Sequence, residues 1–181
     1  GSGDRGDTWD AMDFALDHGA DVISMSLGWT NETNTNKQLW RQNFDVLNAG
    51  GMVSCVAAGN ERGWYTPPNA VRTPGNCPSP WRHPDEVAAG SRGGVITIGA
   101  TDINDNIADF SSPGPVTWES VPGYSDYDYP PGMLCPDVSA PGVDVLSLDY
   151  SNNNGYLDGW NGTSMATPHV AGTVALMLSA N

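Results

Sequence analysis

Apolar side chains recur along this chain in two rhythms, and the rhythms alternate. Within DTWDAMDFALDHG, Trp9, Met12, Ala15 and Leu16 fall on one face of a helix, which predicts an amphipathic helix over 7–19 with Asp7 or Thr8 as its N-cap and Gly19 as its stop. ADVISMSLG follows at once as a compact apolar strand ended by Gly28, and the polar stretch TNETNTN separates it from the next element. Leu39, Trp40, Phe44 and Leu47 again recur at helical spacing, predicting a helix from about 36 to 49, with Gly50 and Gly51 ending it.

MVSCVAA then reads as a second strand that runs into Gly59 and Asn60, and VITIGAT as a third. Between them, residues 61 to 93 are rich in Pro, Gly, Arg and Trp and predict one elaborated surface loop. Residues 102 to 141 show little periodicity. VDVLSLDY predicts a fourth strand and GYLDG a short extended piece. The closing helix, 163 to 179, is almost free of charge, and a helix apolar on nearly every face is expected to be central. Helices and strands that alternate without hairpin signals predict an α/β fold, a mainly parallel sheet flanked by helices and joined by crossovers.

The chain has 181 residues, enough for one domain with a real core, and no internal repeat or linker-like break divides it. Seven Lys and Arg against 21 Asp and Glu give a net charge of −14, which repels phosphate backbones and anionic lipid surfaces. Nucleic acid and membrane are therefore excluded as expected partners, and a neutral or basic peptide fits better. No run of 18 apolar residues is present, and GSGDRGDTWD contains no apolar stretch of the signal-peptide kind.

Of three cysteines, Cys55 lies in an apolar strand and is expected to be a small buried hydrophobe. Cys77 and Cys135 lie in Pro-rich loops, where a disulfide between them is open. No CxxC spacing supports structural zinc.

The chemistry concentrates in NGTSMATPHVAG, residues 161–172. Ser164 falls at the start of the closing helix, where unpaired backbone N–H groups and the positive dipole end favour developing negative charge. VAAGN ends a buried strand in small residues and then presents one carboxamide, Asn60. A serine hydroxyl, an amide donor and a helix N-terminus are the parts of an acyl-transfer site, nucleophile plus oxyanion hole. The bland alternatives are an N-cap serine at 164 and a turn asparagine at 60.

GTSMATPHVAG, with VISMSLG and AAGN upstream in this order, resembles the subtilisin-like serine proteases, the subtilases, from about Trp9 to Leu178. The resemblance implies that Ser164 is the nucleophile and Asn60 the oxyanion-hole amide. It implies that Ser26, Leu27 and Gly28 are the strand edge that pairs with an extended peptide. Ala57, Ala58 and Gly59 then resemble a wall of the pocket for the residue before the scissile bond. It further implies a secreted, extracellular serine endopeptidase with peptide or protein substrates, of which residues 1–181 are a partial catalytic domain, incomplete on its N-terminal side.

The family's triad order is Asp, His, Ser, yet this chain contains neither a D-[ST]-G stretch nor an H-G-T-H stretch before the serine. The expected partner is therefore the missing N-terminal part of the same domain. His18 reads as a capping residue and His83 as a residue of the Trp-Arg-His-Pro loop. His169, five residues beyond Ser164, points about 140° away on a helix of 3.6 residues per turn. None is positioned as a base, and without one a serine hydroxyl is a weak nucleophile, so the chain alone is expected to be inactive. The alternative of another class is a non-catalytic pseudoprotease or peptide-binding scaffold.

No cofactor is required. TDINDNIADF and LDYSNNNGYLDG are rich in Asp and Asn but do not match a calcium loop, since Gly155 takes the seventh place rather than the sixth. Calcium, which many subtilases bind, stays open without an assigned site. Asn31-Glu32-Thr33 and Asn161-Gly162-Thr163 match the glycosylation sequon, the second as an incidental overlap with the serine motif.

Overall fold

The structure, a computed structural model, describes residues 4–30 and 36–180. Helix α1 is Arg5–Asp17. Its N-cap is Asp4 rather than Asp7 or Thr8, because the Asp4 carboxylate accepts the N–H of Gly6 at 2.7 Å and starts the helix two residues earlier than the apolar pattern does. Strand β1 is Val22–Met25, helix α2 is Lys37–Ala49, and strands β2 and β3 are Val53–Ala57 and Val95–Thr101. Most of the polar stretch before α2, with the Asn31 sequon, lies outside the described residues.

β4 is Val138–Pro141, β5 is Val145–Leu148, β6 is Tyr156–Trp160 and α3 is Thr163–Ser179. The four strands β1 to β4 form one parallel sheet in that order, with Val22 opposite Val53, Cys55 opposite Ile96 and Ile98 opposite Val138. Here the structure corrects the expected fourth strand. VDVLSLDY forms β5, which pairs antiparallel with β6 in a separate two-stranded sheet, while the fourth strand of the main sheet is VSAP, inside the stretch without periodicity.

Strand alternation explains why the sheet carries a core on both faces. Val56 joins Met12, Trp40, Phe44, Leu47 and Trp118 on the side of α1 and α2, whereas its neighbour Cys55 joins Ile98, Ala100, Ala166 and Ala171 on the side of α3. α3 crosses all four strands of the main sheet. Its small residues Ala166 and Ala171 allow close approach. Its other face is uncovered among the described residues, with Leu176 and Met177 exposed, so the expectation of a fully central helix holds on one side only.

Cys55, Cys77 and Cys135 are all free thiols, so the option of a Cys77–Cys135 disulfide is not realised. Burial pushes the Cys55 thiol up to about 11, as expected of a small buried hydrophobe. The two long loops are tied down by one charge. Arg41 of α2 is buried, donates to Asp126 at 2.9 and 2.7 Å and to Ser91 Oγ at 2.5 Å, and lies 4.7 and 4.0 Å from the ring centroids of Trp118 and Tyr124.

Candidate active site

The site is assembled at the carboxyl ends of the parallel strands, where α/β sheets place their ligands. Ser26 follows β1, Asn60 follows β2, Gly142 follows β4, and all three meet the first turn of α3. Gly162 enters the helix at φ 150°, a conformation that L side chains rarely adopt, and its N–H is held by the Gly142 carbonyl at 2.8 Å. A side chain at 162 would also stand 3.2 Å from Asn60 Nδ2.

Asn60 is fixed by its oxygen. Oδ1 accepts the N–H of Thr163 at 2.9 Å and its hydroxyl at 3.0 Å, while Thr163 Oγ1 accepts the N–H of Gly59 at 3.1 Å. The amide Nδ2 is thereby turned away from Thr163. Of the first helical N–H groups, that of Thr163 goes to Asn60, and those of Met165 and Ala166 turn back to the Gly162 carbonyl. The N–H of Ser164 and Asn60 Nδ2 have no partner among the described residues, and the two donors lie 3.6 and 3.2 Å from the place a Gly162 side chain would take.

Pro168 explains the join to β1. A proline four residues after Ser164 removes the N–H that would take the Ser164 carbonyl in a regular helix. Ser26 Oγ fills that place by donating to the Ser164 carbonyl at 2.7 Å, and Ser164 Oγ lies 3.4 Å from the Ser26 carbonyl. Nucleophile candidate and candidate strand edge are thus one hydrogen-bonded unit, linked across 138 residues of sequence.

Leu27 is exposed and Gly28 half-buried, whereas Ala57, Ala58 and Gly59 are buried. Ala58 spends its backbone within the fold: its N–H goes to Ile98 and its carbonyl accepts the N–H of Arg72, both at 2.9 Å. Between the two segments stand residues that sequence reasoning passed over. Arg72 donates to the Gly28 carbonyl at 3.2 Å and forms an ion pair with Glu61, whose Oε2 accepts the N–H of Asn60 at 2.7 Å. The one available signal was position: Glu61 is a carboxylate directly after the small-residue strand end.

The histidines divide as follows. His18 closes α1, its ring N–H donating to the Phe14 carbonyl at 2.8 Å. His83 Nδ1 accepts the N–H of Asp85 at 3.1 Å and stands 3.8 Å from its carboxylate, on the exposed loop. His169 donates through Nδ1 to the Met165 carbonyl at 2.8 Å and lines, with Ser164, a cleft of about 460 Å³ walled by Leu146, Leu148, Trp160 and Met165. No described histidine bonds the Ser164 hydroxyl. Among the described residues no three His, Cys, Asp or Glu side chains gather as a metal site, and Asp102 and Asp149 are engaged in their own turns, with Asn104 and Asn106 and with Ser151.

A parallel sheet whose strand ends converge on a serine, a carboxamide and a helix N-terminus is the arrangement in which α/β folds place a ligand site. The chain belongs to the subtilase family, peptidase S8, whose profile matches residues 1–181. A thermophilic serine proteinase of Bacillus sp. (strain AK1) is 35% identical over 179 residues, covering 99% of this chain and 33% of that protein. Subtilisin DY of Bacillus licheniformis is also 35% identical over 179 residues, covering 99% of this chain and 50% of its own. The alkaline extracellular protease of Yarrowia lipolytica (strain CLIB 122 / E 150) is 34% identical over 131 residues, 72% of this chain and 22% of that protein. The chain therefore spans half or less of these relatives. In fold it is similar to the prenylagaramide maturation protease PagA, with a TM-score of 0.66 and 23% identity over 98% of this chain and 50% of that one. No described helix is long and apolar enough to cross a membrane.

Proposed function

We propose that this chain is the serine-bearing part of an extracellular serine endopeptidase that cleaves peptide bonds through an acyl-enzyme. Ser164 Oγ attacks the scissile carbonyl, its proton passes to a base, and the leaving amine departs with a proton returned by that base. The carbonyl oxygen, now an oxyanion, takes hydrogen bonds from Asn60 Nδ2 and the Ser164 N–H, with the α3 dipole behind them. One observation carries the reading: Asn60 Oδ1 is committed to Thr163, and Asn60 Nδ2 and the Ser164 N–H, without partners among the described residues, flank one point beside Gly162 at the start of α3.

Ser26, Leu27 and Gly28 are the edge that receives an extended peptide, with Ala57, Ala58 and Gly59 across from it. The base is the part this chain does not supply. None of His18, His83 and His169 bonds Ser164, and the cleft beside Ser164 leaves room for side chains from a further segment, which we assign to the N-terminal portion of the same catalytic domain. The 181 residues on their own are then close to inactive. The other reading, a peptide-binding scaffold, is favoured by the Ser164 hydroxyl facing the Ser26 carbonyl rather than a base.

A fluorophosphonate probe separates the two. Attack of Ser164 Oγ on phosphorus expels fluoride and leaves a stable adduct that intact-mass measurement detects. In the full-length protein encoded by the gene we expect labelling that Ser164→Ala abolishes, and weak or no labelling of residues 1–181 alone. An unlabelled full-length protein, or an adduct that persists in Ser164→Ala, overturns the protease reading in favour of the scaffold.

A further inference from the structure

The gap between the two segments that flank the site is already occupied. Gly28 ends the segment after β1, and a Cβ built there would lie 2.9 Å from Arg72 Cβ and 3.2 Å from its Cδ. Gly59 ends the segment after β2 at φ +110°, and a Cβ built there would lie 2.9 Å from Arg72 Cγ and would also collide with Glu61 Oε2. Both glycines have no side chain where the Arg72 stem passes between them. The backbone around Arg72 is fixed as well: its N–H goes to the Ala58 carbonyl at 2.9 Å, and Thr73 exchanges two hydrogen bonds with Trp29 at 2.7 and 3.0 Å.

The guanidinium is held at both ends. It donates to the Gly28 carbonyl and pairs with Glu61, whose side chain is only 8% exposed and whose other oxygen takes the N–H of Asn60 and the hydroxyl of Ser112 at 3.3 Å. Glu61 neutralises the Arg72 charge, so the pair acts on a ligand through its bulk more than through its sign. This inference rests on the proposed protease reading, in which the side chain preceding the scissile bond enters between residues 26–28 and 57–59.

We infer that Arg72, braced by Glu61, is a specificity-determining residue: it fills the inner end of that pocket and restricts the substrate residue before the scissile bond to short side chains such as Ala or Ser. Long and aromatic side chains meet the Arg72 stem. Acidic ones find a guanidinium whose charge is already compensated.

The test is a competition between two peptide substrates differing only at that residue, Ala against Phe, cleaved in one tube by the full-length protein encoded by the gene. The ratio of their kcat/KM values is independent of how much of a preparation is folded, so a destabilised variant remains readable. We expect the wild type to favour Ala by at least about 10-fold, the scale on which misfit in an apolar pocket discriminates. Arg72→Gly, and the double variant Arg72→Gly with Glu61→Gln that avoids a buried unpaired carboxylate, move the ratio towards Phe by about 10–200-fold. Arg72→Lys, which retains the stem, preserves the preference for Ala.

Labelling by the fluorophosphonate, which carries no substrate residue, is measured in parallel. If the wild type is labelled but prefers Phe, or keeps its ratio in both Arg72→Gly variants, the inference about Arg72 is wrong and the protease reading stands. If the wild type is neither labelled nor active, both fall together.

Discussion

Replacing Arg41 by alanine removes the one charge that joins α2 to both long loops, and its cost is set by what is left behind. Arg41 makes two hydrogen bonds to Asp126 and one to the hydroxyl of Ser91, and it contacts two aromatic rings from a position with no side-chain exposure. Breaking a buried ion pair from one side costs about 3–5 kcal/mol, because the remaining part-buried carboxylate loses its countercharge and keeps only Ser91, whose N–H it accepts at 3.0 Å. Two ring contacts at about 0.5–1 kcal/mol each bring the total to roughly 4–7 kcal/mol. Against a typical domain stability of about 5–15 kcal/mol, this takes most of the folding free energy.

Urea denaturation followed by tryptophan fluorescence reads the effect on Arg41→Ala directly. The companion is Arg41→Met with Asp126→Leu, in which neither charge remains and most of the loss is recovered, since well-packed apolar pairs substitute for buried ion pairs at little cost. The pair also fixes a pH window. Burial raises the Asp126 carboxyl, but hydrogen bonds from Arg41 and Ser91 and the guanidinium charge outweigh it and hold the group below its ordinary value. A depressed carboxylate contributes stability above its unfolded value of about 3.9, and that contribution is lost as pH falls through the folded value. A loss under about 1 kcal/mol in Arg41→Ala, or a double variant no better than the single one, refutes the reasoning that this buried charge organises the loops.

Asn60→Ala removes the proposed oxyanion donor and the acceptor of the Thr163 N–H together. We expect kcat of the full-length protein to drop about 10²–10³-fold, a range that rests on a subtilisin's own oxyanion-hole amide, and unchanged turnover would show that Asn60 is a cap alone. Burial raises the Asp137 carboxyl despite the Thr97 N–H that it accepts at 2.7 Å. A raised carboxyl favours folding fully below about pH 3.9 and loses that contribution as pH rises through the folded value. Asp137→Asn, which retains the acceptor, therefore raises Tm at pH 7 and leaves it unchanged at pH 3; a lower Tm at pH 7 contradicts the assignment. The three cysteines are free thiols with burial-raised pKa values, so a thiol reagent at pH 8 leaves the native chain unmodified and adds three labels after denaturation. A native mass two daltons below the reduced one would instead reveal a disulfide.

Elements whose apolar residues follow a local period were legible from the letters. α2 is the clearest case: Trp40, Phe44 and Leu47 are buried, and the helix runs within one residue of its expected limits. VITIGAT is strand β3 from first residue to last. β4 was not legible, because only Ala140 of its four residues is buried and Pro141 ends it, leaving nothing periodic to read. The strand character of VDVLSLDY was correct while its partner was not, since local pattern determines extension and only distant chain determines pairing.

The letters alone determined the family, the candidate residues at 164 and 60, and the alternation of helix and strand, all of which depend on residues near one another in the chain. Tertiary structure decided the rest: which Asn60 atom faces Thr163 across 103 residues, that Ser26 takes the carbonyl freed by Pro168, and that Arg72 passes between two glycines 31 positions apart. Hydrogen bonds and steric exclusion act over a few ångströms of space. Sequence distance carries no record of them until the sheet has brought its strand ends to one edge.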